Sequence, residues 1–394
     1  MLMWQVIVLL KRSSVLVAVL LFVFSMNSFA ADDRISVSAR SAVVINADTG
    51  QVLYEKNADE KRSMASTTKI MTSLIALEQH TPGRIVEVKN EMLKTVEGTA
   101  VGLKNGDLIS MEALVYSMLL ESGNDAANVA AYAIAKDEAS FAALMNEKAR
   151  EIGMVNSNFV TPSGLDSQEH YSTAYDMALL GAYAIKNPEF KVISASKNAV
   201  VSFGNPQQEH YLHNHNKMLN NYEGACGIKT GFTKKSGRCL VTAATRNSVT
   251  LVCALLNAPN DWDDTQRLLD ACFEMTAVAE LGTAEITERL NIAGGLSESI
   301  ALELKEIPKY SYTGTAPEVT VKKYIKPFEY APLKKGDIVG CYVYYNGDNE
   351  LLRIPVLAAE DADQSPVLVQ EKKEIKLIDK IRDFLERIKG SVKK

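Results

Sequence analysis

Three short polar motifs follow one another along the chain and contain side chains that could carry out acyl transfer. Residues 66–69 read Ser-Thr-Thr-Lys, residues 122–124 read Ser-Gly-Asn and residues 229–231 read Lys-Thr-Gly. A serine hydroxyl is a poor nucleophile at neutral pH and needs a base within hydrogen-bond reach. Because residues i and i+3 share one face of a helix, Lys69 is predicted to lie beside Ser66 as that base.

The third motif and the start of the helix offer a positive charge near Lys69, a donor for an oxyanion and contacts for a substrate. A lysine acts as a base only when desolvation or a neighbouring positive charge lowers its pKa, and Lys229 is the candidate for that charge. The backbone N–H of Ser66, at the start of its helix, is suited to stabilising an oxyanion. An edge strand carrying Lys229, Thr230 and Gly231 can pair with an extended peptide, and its Lys and Thr can hold a carboxylate.

Each motif alone is an ordinary polar sequence, so the argument rests on their combination. Ser-x-x-Lys and Ser-x-Asn both recur at other positions, whereas Lys-Thr-Gly occurs once. Only Ser66 stands at the start of a long apolar helix pattern, with the other two motifs downstream of it. The three motifs together indicate a serine acyl-transfer enzyme.

The composition excludes several other classes of protein. The 394 residues carry a net charge of −5, so the chain is not a basic nucleic-acid binder. Hydrophobic residues make up 47% and charged residues 23%, which is typical of a globular protein. The five cysteines and five histidines form no CxxC pair, HExxH motif or Cys/His cluster, so we expect neither a metal nor another cofactor.

The elements that must position these motifs predict an α/β protein of the α+β kind. Strands at both ends of a helical middle imply an antiparallel sheet packed against a helical cluster. The predicted helices are 66–80, 111–120, 125–135, 138–152, 173–185 and one from about 263, and the predicted strands are 41–47, 51–56, 227–229, 238–244 and 250–256.

After about residue 281 the pattern changes to β-prone runs separated by Gly and Pro turns, which predicts a small all-β domain. Its predicted strands are 299–304, 318–324, 337–345 and 351–356. The predicted organisation is a signal peptide at 1–30, a catalytic domain at 31–280, the β domain at 281–365, and a linker with a terminal helix at 366–394.

The first 30 residues read as an export signal. Lys11 and Arg12 precede an apolar run over residues 15–24, and a small-residue site ending at Ala30 would make Ala31 the first mature residue. An uncleaved N-terminal anchor is the alternative. Cleavage is favoured because the apolar run is too short to span a bilayer comfortably.

Residues 371–394, at the opposite end, have apolar side chains at helical spacing. They carry nine Lys or Arg against five Asp or Glu, a net charge of +4. A basic amphipathic helix is typical of a segment that lies on an anionic membrane surface. The alternatives are a helix docked on its own domain and a short coiled coil.

With these motifs and their surroundings, the chain resembles the penicilloyl-serine transferases, whose signatures include SxxK, SxN and KTG. The segments MASTTKIMTSLIAL, LLESGNDAANVAA, FVTPSGLD, HYSTAYDMALLG and GIKTGFTKKSGRCLVTAA are similar to low-molecular-mass penicillin-binding proteins, specifically the D-alanyl-D-alanine carboxypeptidases. The likeness covers nearly all of residues 35–365, and the tail resembles their membrane anchor. It implies a β-lactamase/transpeptidase-like fold followed by a small all-β domain.

The resemblance also implies a substrate and a role for each matching residue. The substrates would be peptidoglycan stem peptides ending in D-Ala-D-Ala, with β-lactams acylating the same serine. The chain would act outside the cytoplasmic membrane, at its outer face and the cell wall. In chain order, the implied roles are nucleophile for Ser66, base for Lys69, proton relay and amide contact for Ser122 and Asn124, cleft electrostatics for Lys229, carboxylate binding for Thr230 beside Gly231, and an oxyanion hole from the N–H groups of Ser66 and Phe232.

Two positions depart from many relatives of that family. Phe232 stands where they carry His, and His215 is the nearest counterpart of an Arg that others carry before the same strand. A neutral imidazole would weaken carboxylate binding above about pH 6.5, so activity is predicted to be more pH-sensitive than in Arg-bearing relatives. The alternative is that His215 only packs in a loop.

Two other functions stay open at this point. A β-lactamase shares SxxK and KTG, but class A enzymes deacylate with a glutamate in a Glu-x-x-Leu-Asn setting, which Glu151, Glu169 and Glu189 lack. The other is a catalytically inactive protein that binds the cell wall, although all three motifs are complete.

Cys226 and Cys239 flank the third motif and would face each other if their strands formed a hairpin. A disulfide between them is conceivable in an exported protein. Thiols are favoured, because cross-strand disulfides are often strained.

Overall fold

The structure is a computed structural model and describes residues 35–79, 81, 83–281, 288–304, 309–314, 316, 318–366 and 378–382. The chain divides into two compact units. The first contains the chain up to Ala244 together with Leu251–Asp270, and the second contains Thr245–Thr250 and the chain from Ala271 onwards. The domain boundary predicted between residues 280 and 281 stays a prediction.

The first unit contains a five-stranded sheet, a cluster of helices and a small second sheet. The strands that lie wholly or largely in it are β1 (Ser41–Asn46), β2 (Val52–Lys56), β3 (Ile85–Glu87), β4 (Leu108–Ser110), β5 (Asn198–Gly204), β6 (Gln207–His213), β7 (Ala225–Thr233), β8 (Gly237–Arg246) and β9 (Val249–Leu256). The helices are α1 (Lys69–Gln79), α2 (Asn90–Leu93), α3 (Met111–Leu119), α4 (Asn124–Ala135), α5 (Glu138–Ile152), α6 (Ala174–Ala184), α7 (Pro188–Ala195), α8 (Met218–Asn221) and α9 (Asp261–Glu274).

The main sheet has the order β2-β1-β9-β8-β7, which leaves β7 at an edge. β1 pairs antiparallel with both β2 and β9, and β7 pairs antiparallel with β8. β1 and nearly all of β9 are buried, as expected for short continuous apolar runs. The order confirms the prediction that the strand with Lys229, Thr230 and Gly231 lies at a sheet edge.

Helix α1 runs through the centre of the helical cluster. Lys69 and the residues that follow it as far as Leu77 are all buried, and the helix packs against α3, α4 and α6. A helix surrounded in this way is a core element, whose position is set by packing on every side. The residues at its N-terminal end are therefore held by the hydrophobic core.

The start of this helix differs from the prediction. Ser66 was predicted to begin it, whereas Ala65–Thr68 form a 3-10 turn and α1 begins at Lys69. The hydroxyls of Thr67 and Thr68 donate to the carbonyls of Met64 and Ala65. Such local side-chain bonds compete with regular helical bonding, which explains the tighter turn.

Side-chain caps fix where several of the predicted helices begin. Ser110, Asp137 and Thr173 each accept a hydrogen bond from a backbone N–H in the first turn of α3, α5 and α6. The predicted bounds of these helices agree with the structure to within one residue at each end. Polar residues that precede an apolar pattern are reliable markers of a helix start.

Helix α7 and the small sheet β3-β4-β5-β6 were not predicted in full. β3 and β4 have three residues each, which is too short for a readable period. In β5 the buried residues Val201 and Phe203 alternate with exposed neighbours, but the apolar, exposed Val200 obscures this alternation in the sequence, and β6 is mostly polar and exposed.

The second unit is built from strands between Thr276 and Ala358. Its main sheet has the order β14-β16-β17-β12-β11-β15, and β10 pairs with β13. A core of its own includes Ile300, Tyr342 and Val356. The strands are β10 (Thr276–Glu280), β11 (Arg289–Ala293), β12 (Ser299–Leu304), β13 (Lys309–Thr313), β14 (Val319–Ile325), β15 (Phe328–Tyr330), β16 (Ile338–Asn346) and β17 (Asn349–Ala358).

The two predicted terminal segments lie mostly outside the described residues. The signal peptide at 1–30 lies wholly outside them, and of the tail at 371–394 only residues 378–382 are described, as helix. Among the described residues, no helix combines the length and apolar composition needed to cross a membrane. Both terminal assignments stay predictions.

The hypothesis of a Cys226–Cys239 disulfide is wrong. Cys239 lies opposite Gly231, whereas Cys226 lies between Ala225, which pairs with Ala244, and Ile228, which pairs with Thr242. The register of the hairpin therefore places the two cysteines at different levels. Each cysteine in the part of the chain that the structure describes is a thiol.

A buried carboxylate ties the start of the described chain to α9. Asp264 accepts hydrogen bonds from the backbone N–H groups of Ser38 and Ala39 and from the Ser38 hydroxyl, over 2.6–3.0 Å. Arg267 donates to its other oxygen at 2.6 Å, and the Asp264 side chain is fully buried. Removal of this carboxylate would leave several donors without an acceptor.

Asp264→Ala is therefore expected to lower the free energy of unfolding of the first unit by about 3 kcal/mol, because buried donors lose a charged acceptor. Urea unfolding followed by the fluorescence of Trp262, on the same helix, measures the change. Replacement of the exposed neighbour, Asp263→Ala, is the control and should change stability by less than about 0.5 kcal/mol. Equal effects at the two positions would contradict this role.

Candidate active site

The side chain of Lys69 reaches the hydroxyl of Ser66, as their spacing predicts. The Lys69 Nζ lies 3.0 Å from Ser66 Oγ. Two further acceptors contact the same nitrogen, the side-chain oxygen of Asn124 at 2.6 Å and the carbonyl oxygen of Ser163 at 2.7 Å. A neutral amine has two N–H donors and one lone pair. It can therefore satisfy both acceptors and keep the lone pair for the Ser66 proton.

Burial makes this amine a base. The Lys69 side chain is completely buried, and burial holds its pKa well below 10.5. The positive charge of Lys229 lowers the pKa further, while Asp125 acts in the opposite direction. Desolvation and a neighbouring positive charge are the two causes predicted for a lysine base. A neutral amine beside a serine hydroxyl can accept its proton.

The second motif lies at the start of α4, where it meets Lys69. Asn124 accepts from Lys69 through its oxygen and donates through its nitrogen to the carbonyl of Glu97, so both ends of the amide are held. Ser122 lines the cleft and has a φ of 63°, a conformation that is rare for a residue with a side chain. Strained residues of this kind are common at functional sites.

Strand β7 passes directly against the turn that carries Ser66. A Cβ atom on Gly231 would lie 3.0 Å from the Met64 carbonyl oxygen and 3.1 Å from the Ser66 nitrogen. Real Cβ atoms are rarely so close to backbone atoms, so this position accepts only glycine without a shift of the strand. The third motif is thereby brought beside the first.

The second lysine of the site is also buried. Lys229 is 1% exposed, and its Nζ donates to the carbonyl oxygen of Thr230 at 3.0 Å. Burial lowers the pKa of Lys229 to about 7, against the opposing charge of Glu121. Near neutral pH this side chain therefore exists in both protonation states.

A cleft of about 340 Å³ opens above these buried groups. Lys69, Asn124 and Lys229 are themselves buried, so the cleft is lined by the outer residues of the three motifs and by their neighbours. Of the predicted site residues, it is lined by Ser66, Ser122, His215, Thr230, Gly231 and Phe232. The lining residues that were not predicted are Thr99, Lys217, Arg238, Asp261 and Trp262. Over the described ranges, no group of three or more His, Cys, Asp or Glu could hold a metal ion.

His215 lies at the wall of the cleft beside a carboxylate. Its Nε2 is 3.4 Å from an oxygen of Glu121, whose other oxygen accepts from the backbone N–H of His213 at 2.6 Å. Burial and the positive charge of Lys229 lower the pKa of His215 below 6.5, although Glu121 opposes them. The imidazole is therefore neutral at neutral pH.

Arg238 is a cationic residue of the cleft that was not predicted from the sequence. It lies on β8 opposite Phe232, and its Nε donates to Asp261 at 2.8 Å. Its guanidinium also lies 5.7 Å from the centre of the Trp262 ring. No residue in the described part of the chain accepts a hydrogen bond from its two terminal nitrogens. The sequence indicated Arg238 only through its position on the second strand of the hairpin whose first strand carries the third motif.

A loop over residues 161–166 packs along the first motif and was also missed. Thr72 donates to the Pro162 carbonyl at 2.6 Å, and Lys69 donates to the next carbonyl, that of Ser163. A Cβ on Gly164 would lie 2.0 Å from the Ala65 carbonyl oxygen, so the backbones are in close contact. Nothing in local spacing predicts contacts between segments about 90 residues apart.

Comparison with known proteins agrees with this geometry. The family model described as D-alanyl-D-alanine carboxypeptidase (peptidase S11) matches residues 27–260. The chain is 30% identical over 365 residues to D-alanyl-D-alanine carboxypeptidase DacF of Bacillus subtilis, covering 89% of this chain and 93% of the relative. It is 32% identical over 376 residues to D-alanyl-D-alanine carboxypeptidase DacC of Escherichia coli, covering 87% of this chain and 90% of the relative.

A solved structure extends the likeness to the fold. The D-alanyl-D-alanine carboxypeptidase DacD from Francisella tularensis is similar with a TM-score of 0.59 and 26% identity, over 87% of this chain and 99% of that chain. This likeness confirms the predicted fold class, an α+β catalytic part followed by a small all-β part. The chain belongs to the D-alanyl-D-alanine carboxypeptidase family.

Proposed function

We propose that this cleft is the active site of a serine-type D-Ala-D-Ala carboxypeptidase, which removes the terminal D-alanine from peptidoglycan stem peptides through an acyl-enzyme on Ser66. Family membership supports a serine DD-peptidase of the penicillin-binding type that β-lactams acylate. The observation that carries the proposal is the buried amine of Lys69, which contacts both the Ser66 hydroxyl and Asn124.

In the proposed acylation, the neutral amine of Lys69 takes the Ser66 proton while Oγ bonds to the carbonyl carbon of the penultimate D-alanine. The N–H groups of Ser66 and Phe232 bind the oxyanion. When the C–N bond breaks, the leaving D-alanine receives that proton from Lys69, directly or through the Ser122 hydroxyl. Water then attacks the ester by the same route, which releases the shortened peptide and restores Ser66.

The substrate is proposed to lie along the open edge of β7, where main-chain hydrogen bonds can hold an extended peptide. Its terminal carboxylate would bind Thr230 and Arg238. The terminal nitrogens of Arg238 are suited to this because a guanidinium can bind a carboxylate with two parallel hydrogen bonds. Asp261 and Trp262 hold the guanidinium in place from its other side.

His215 is proposed to form a wall of the cleft and to contribute little positive charge. Because its pKa is lowered, the imidazolium is lost as the pH rises through a range below 6.5. The pH sensitivity predicted for His215 would therefore fall below pH 6.5. Above it, Arg238 keeps its charge.

We also propose that the chain is exported and acts at the outer face of the cytoplasmic membrane, with residues 371–394 lying on the membrane surface. The extracytoplasmic site of the family's peptidoglycan substrate supports export. The basic amphipathic sequence of the tail supports membrane binding, and the two isoleucines in its described part, Ile378 and Ile381, are exposed.

Ser66→Ala is expected to abolish D-alanine release from a pentapeptide ending in D-Ala-D-Ala and covalent labelling by a fluorescent penicillin. The expected fall in kcat is more than about 1,000-fold, because the nucleophile is lost. Ser202→Ala, which changes an exposed serine on β5, is the control and should leave both activities intact. Labelling of Ser66→Ala at the wild-type level would exclude the assigned nucleophile.

Arg238→Ala is expected to lower kcat/KM for the same pentapeptide by about 10- to 100-fold, mainly through KM, because a charge-assisted hydrogen-bonded pair is lost. The matched control is a pentapeptide amide, which lacks the terminal carboxylate and should be equally poor for the wild type and the variant. An equal loss on both substrates would mean that Arg238 does not bind the carboxylate.

Lys229→Met is expected to move the acidic limb of the acylation pH profile to higher pH. The charge of Lys229 lowers the pKa of Lys69, so its removal raises that pKa, and a higher pH is needed to form the neutral amine. Single-turnover acylation by a chromogenic β-lactam measures the limb. Lys229→Arg keeps the charge and should leave the limb in place, whereas a shift to lower pH in Lys229→Met would contradict the electrostatic coupling.

A further inference from the structure

The peptide group between Ala65 and Ser66 is held in an unusual orientation. Ala65 has a φ of 49°, in the left-handed region that residues with side chains rarely adopt. Its carbonyl oxygen accepts a hydrogen bond from the Thr68 hydroxyl at 2.8 Å. The backbone of Gly164 closes against the same carbonyl. The turn is thus kept in its strained form by a hydrogen bond within it and by the backbone of Gly164 outside it.

His170 continues this hydrogen-bond chain. Its Nε2 lies 2.9 Å from the Thr68 hydroxyl oxygen, and its Nδ1 accepts from the backbone N–H of Val160 at 2.9 Å. An Nδ1 that accepts from an N–H carries no proton, so the proton of a neutral ring is on Nε2. The chain therefore runs from the Nε2–H of His170 to the Thr68 hydroxyl, and from that hydroxyl to the Ala65 carbonyl.

The surroundings of His170 keep the ring neutral and fixed. The side chain is 1% exposed and meets the ring of Phe159 edge to face, with centroids 5.9 Å apart. Burial lowers the pKa of His170 to about 4. The charge of Asp166 raises this pKa and that of Lys235 lowers it, both more weakly than burial. At neutral pH the ring keeps one donor and one acceptor, as the two contacts require.

A peptide group is planar, so its carbonyl and its N–H cannot turn independently. The carbonyl that Thr68 holds belongs to Ala65, and the N–H of the same peptide group is that of Ser66. Fixing the direction of the carbonyl therefore fixes the direction of the Ser66 N–H. A hydrogen bond to the carbonyl also polarises the N–H and makes it a better donor.

We propose that His170, acting through Thr68, is a positioning residue that orients the Ser66 N–H as a donor of the oxyanion hole. This inference rests on the proposed function, because an oxyanion arises only if Ser66 attacks a carbonyl. His170 touches neither the substrate nor the reacting atoms in this arrangement. Its effect reaches them through one hydroxyl and one peptide plane.

The kinetic signature follows from the role of the donor. An oxyanion contact is made in the transition state and not with the ground-state substrate, so its loss lowers kcat and leaves KM nearly unchanged. Removal of an oxyanion donor outright costs about 100- to 1,000-fold in kcat. Misorientation of the Ser66 N–H is expected to cost less, about 10- to 100-fold.

Thr68→Val and Thr68→Ser are the matched variants that test this. Valine keeps the shape of threonine and removes the hydroxyl, whereas serine keeps the hydroxyl. Thr68→Val is expected to lower the kcat of D-alanine release by about 10- to 100-fold at unchanged KM, and Thr68→Ser to restore it to within a few-fold of the wild type. His170→Asn should match Thr68→Val, because the shorter amide can still accept from Val160 but does not reach Thr68.

The double variant completes the test. Groups that act through one chain are not additive, so Thr68→Val combined with His170→Asn should be no slower than the slower single variant. Additive losses, a loss in KM alone, or wild-type kcat in Thr68→Val would overturn the inference. Thermal unfolding of each variant checks folding, and the near-isosteric Thr68→Val carries the test if His170→Asn does not fold. A wild-type protein that releases no D-alanine would instead refute the proposed function.

Discussion

The burial of one amine is the constraint on which the rest of the site depends. Lys69 has no contact with solvent, and a charged ammonium at such a place is costly unless it is paired. None of the carboxylates that the structure describes contacts it directly; its partners are an amide oxygen, a carbonyl oxygen and a hydroxyl. This set suits a neutral amine. The hydrophobic core around α1 thus favours the form of this side chain that can accept a proton, and burial at its own position on β7 lowers the pKa of Lys229 to about 7.

Two glycines let three chain segments meet at Ser66. Gly231 brings the edge strand against the turn, and Gly164 brings the 161–166 loop against its other side. A Cβ at Gly164 would clash with the Ala65 carbonyl, and one at Gly231 would crowd the backbone of residues 64–67. The turn between them is held in a left-handed conformation at Ala65. The position of Ser66 therefore depends on two residues that have no side chain.

Contacts between residues close in the sequence were predictable, whereas contacts that depend on strand register or on distant segments were not. The spacing of Ser66 and Lys69 predicts their contact because one helical turn determines it. The same spacing did not predict the 3-10 turn, in which two threonine hydroxyls donate to the backbone carbonyls three residues before them. Arg238 was missed because its place in the cleft depends on the pairing register of β7 with β8. The link between Thr68 and His170 joins residues 102 apart, beyond any local pattern.

The placement of β1 in the sheet has a consequence for the order in which the protein can fold. β1 lies between β2 and β9, and its first residue, Ser41, pairs with Leu256. A chain that emerges N-terminus first, from a ribosome or a translocation pore, holds this strand without its central partner until some two hundred further residues have followed. Non-local pairing of this kind slows folding. The five-stranded sheet can consequently be completed only after β9 has emerged, late in the synthesis of the unit.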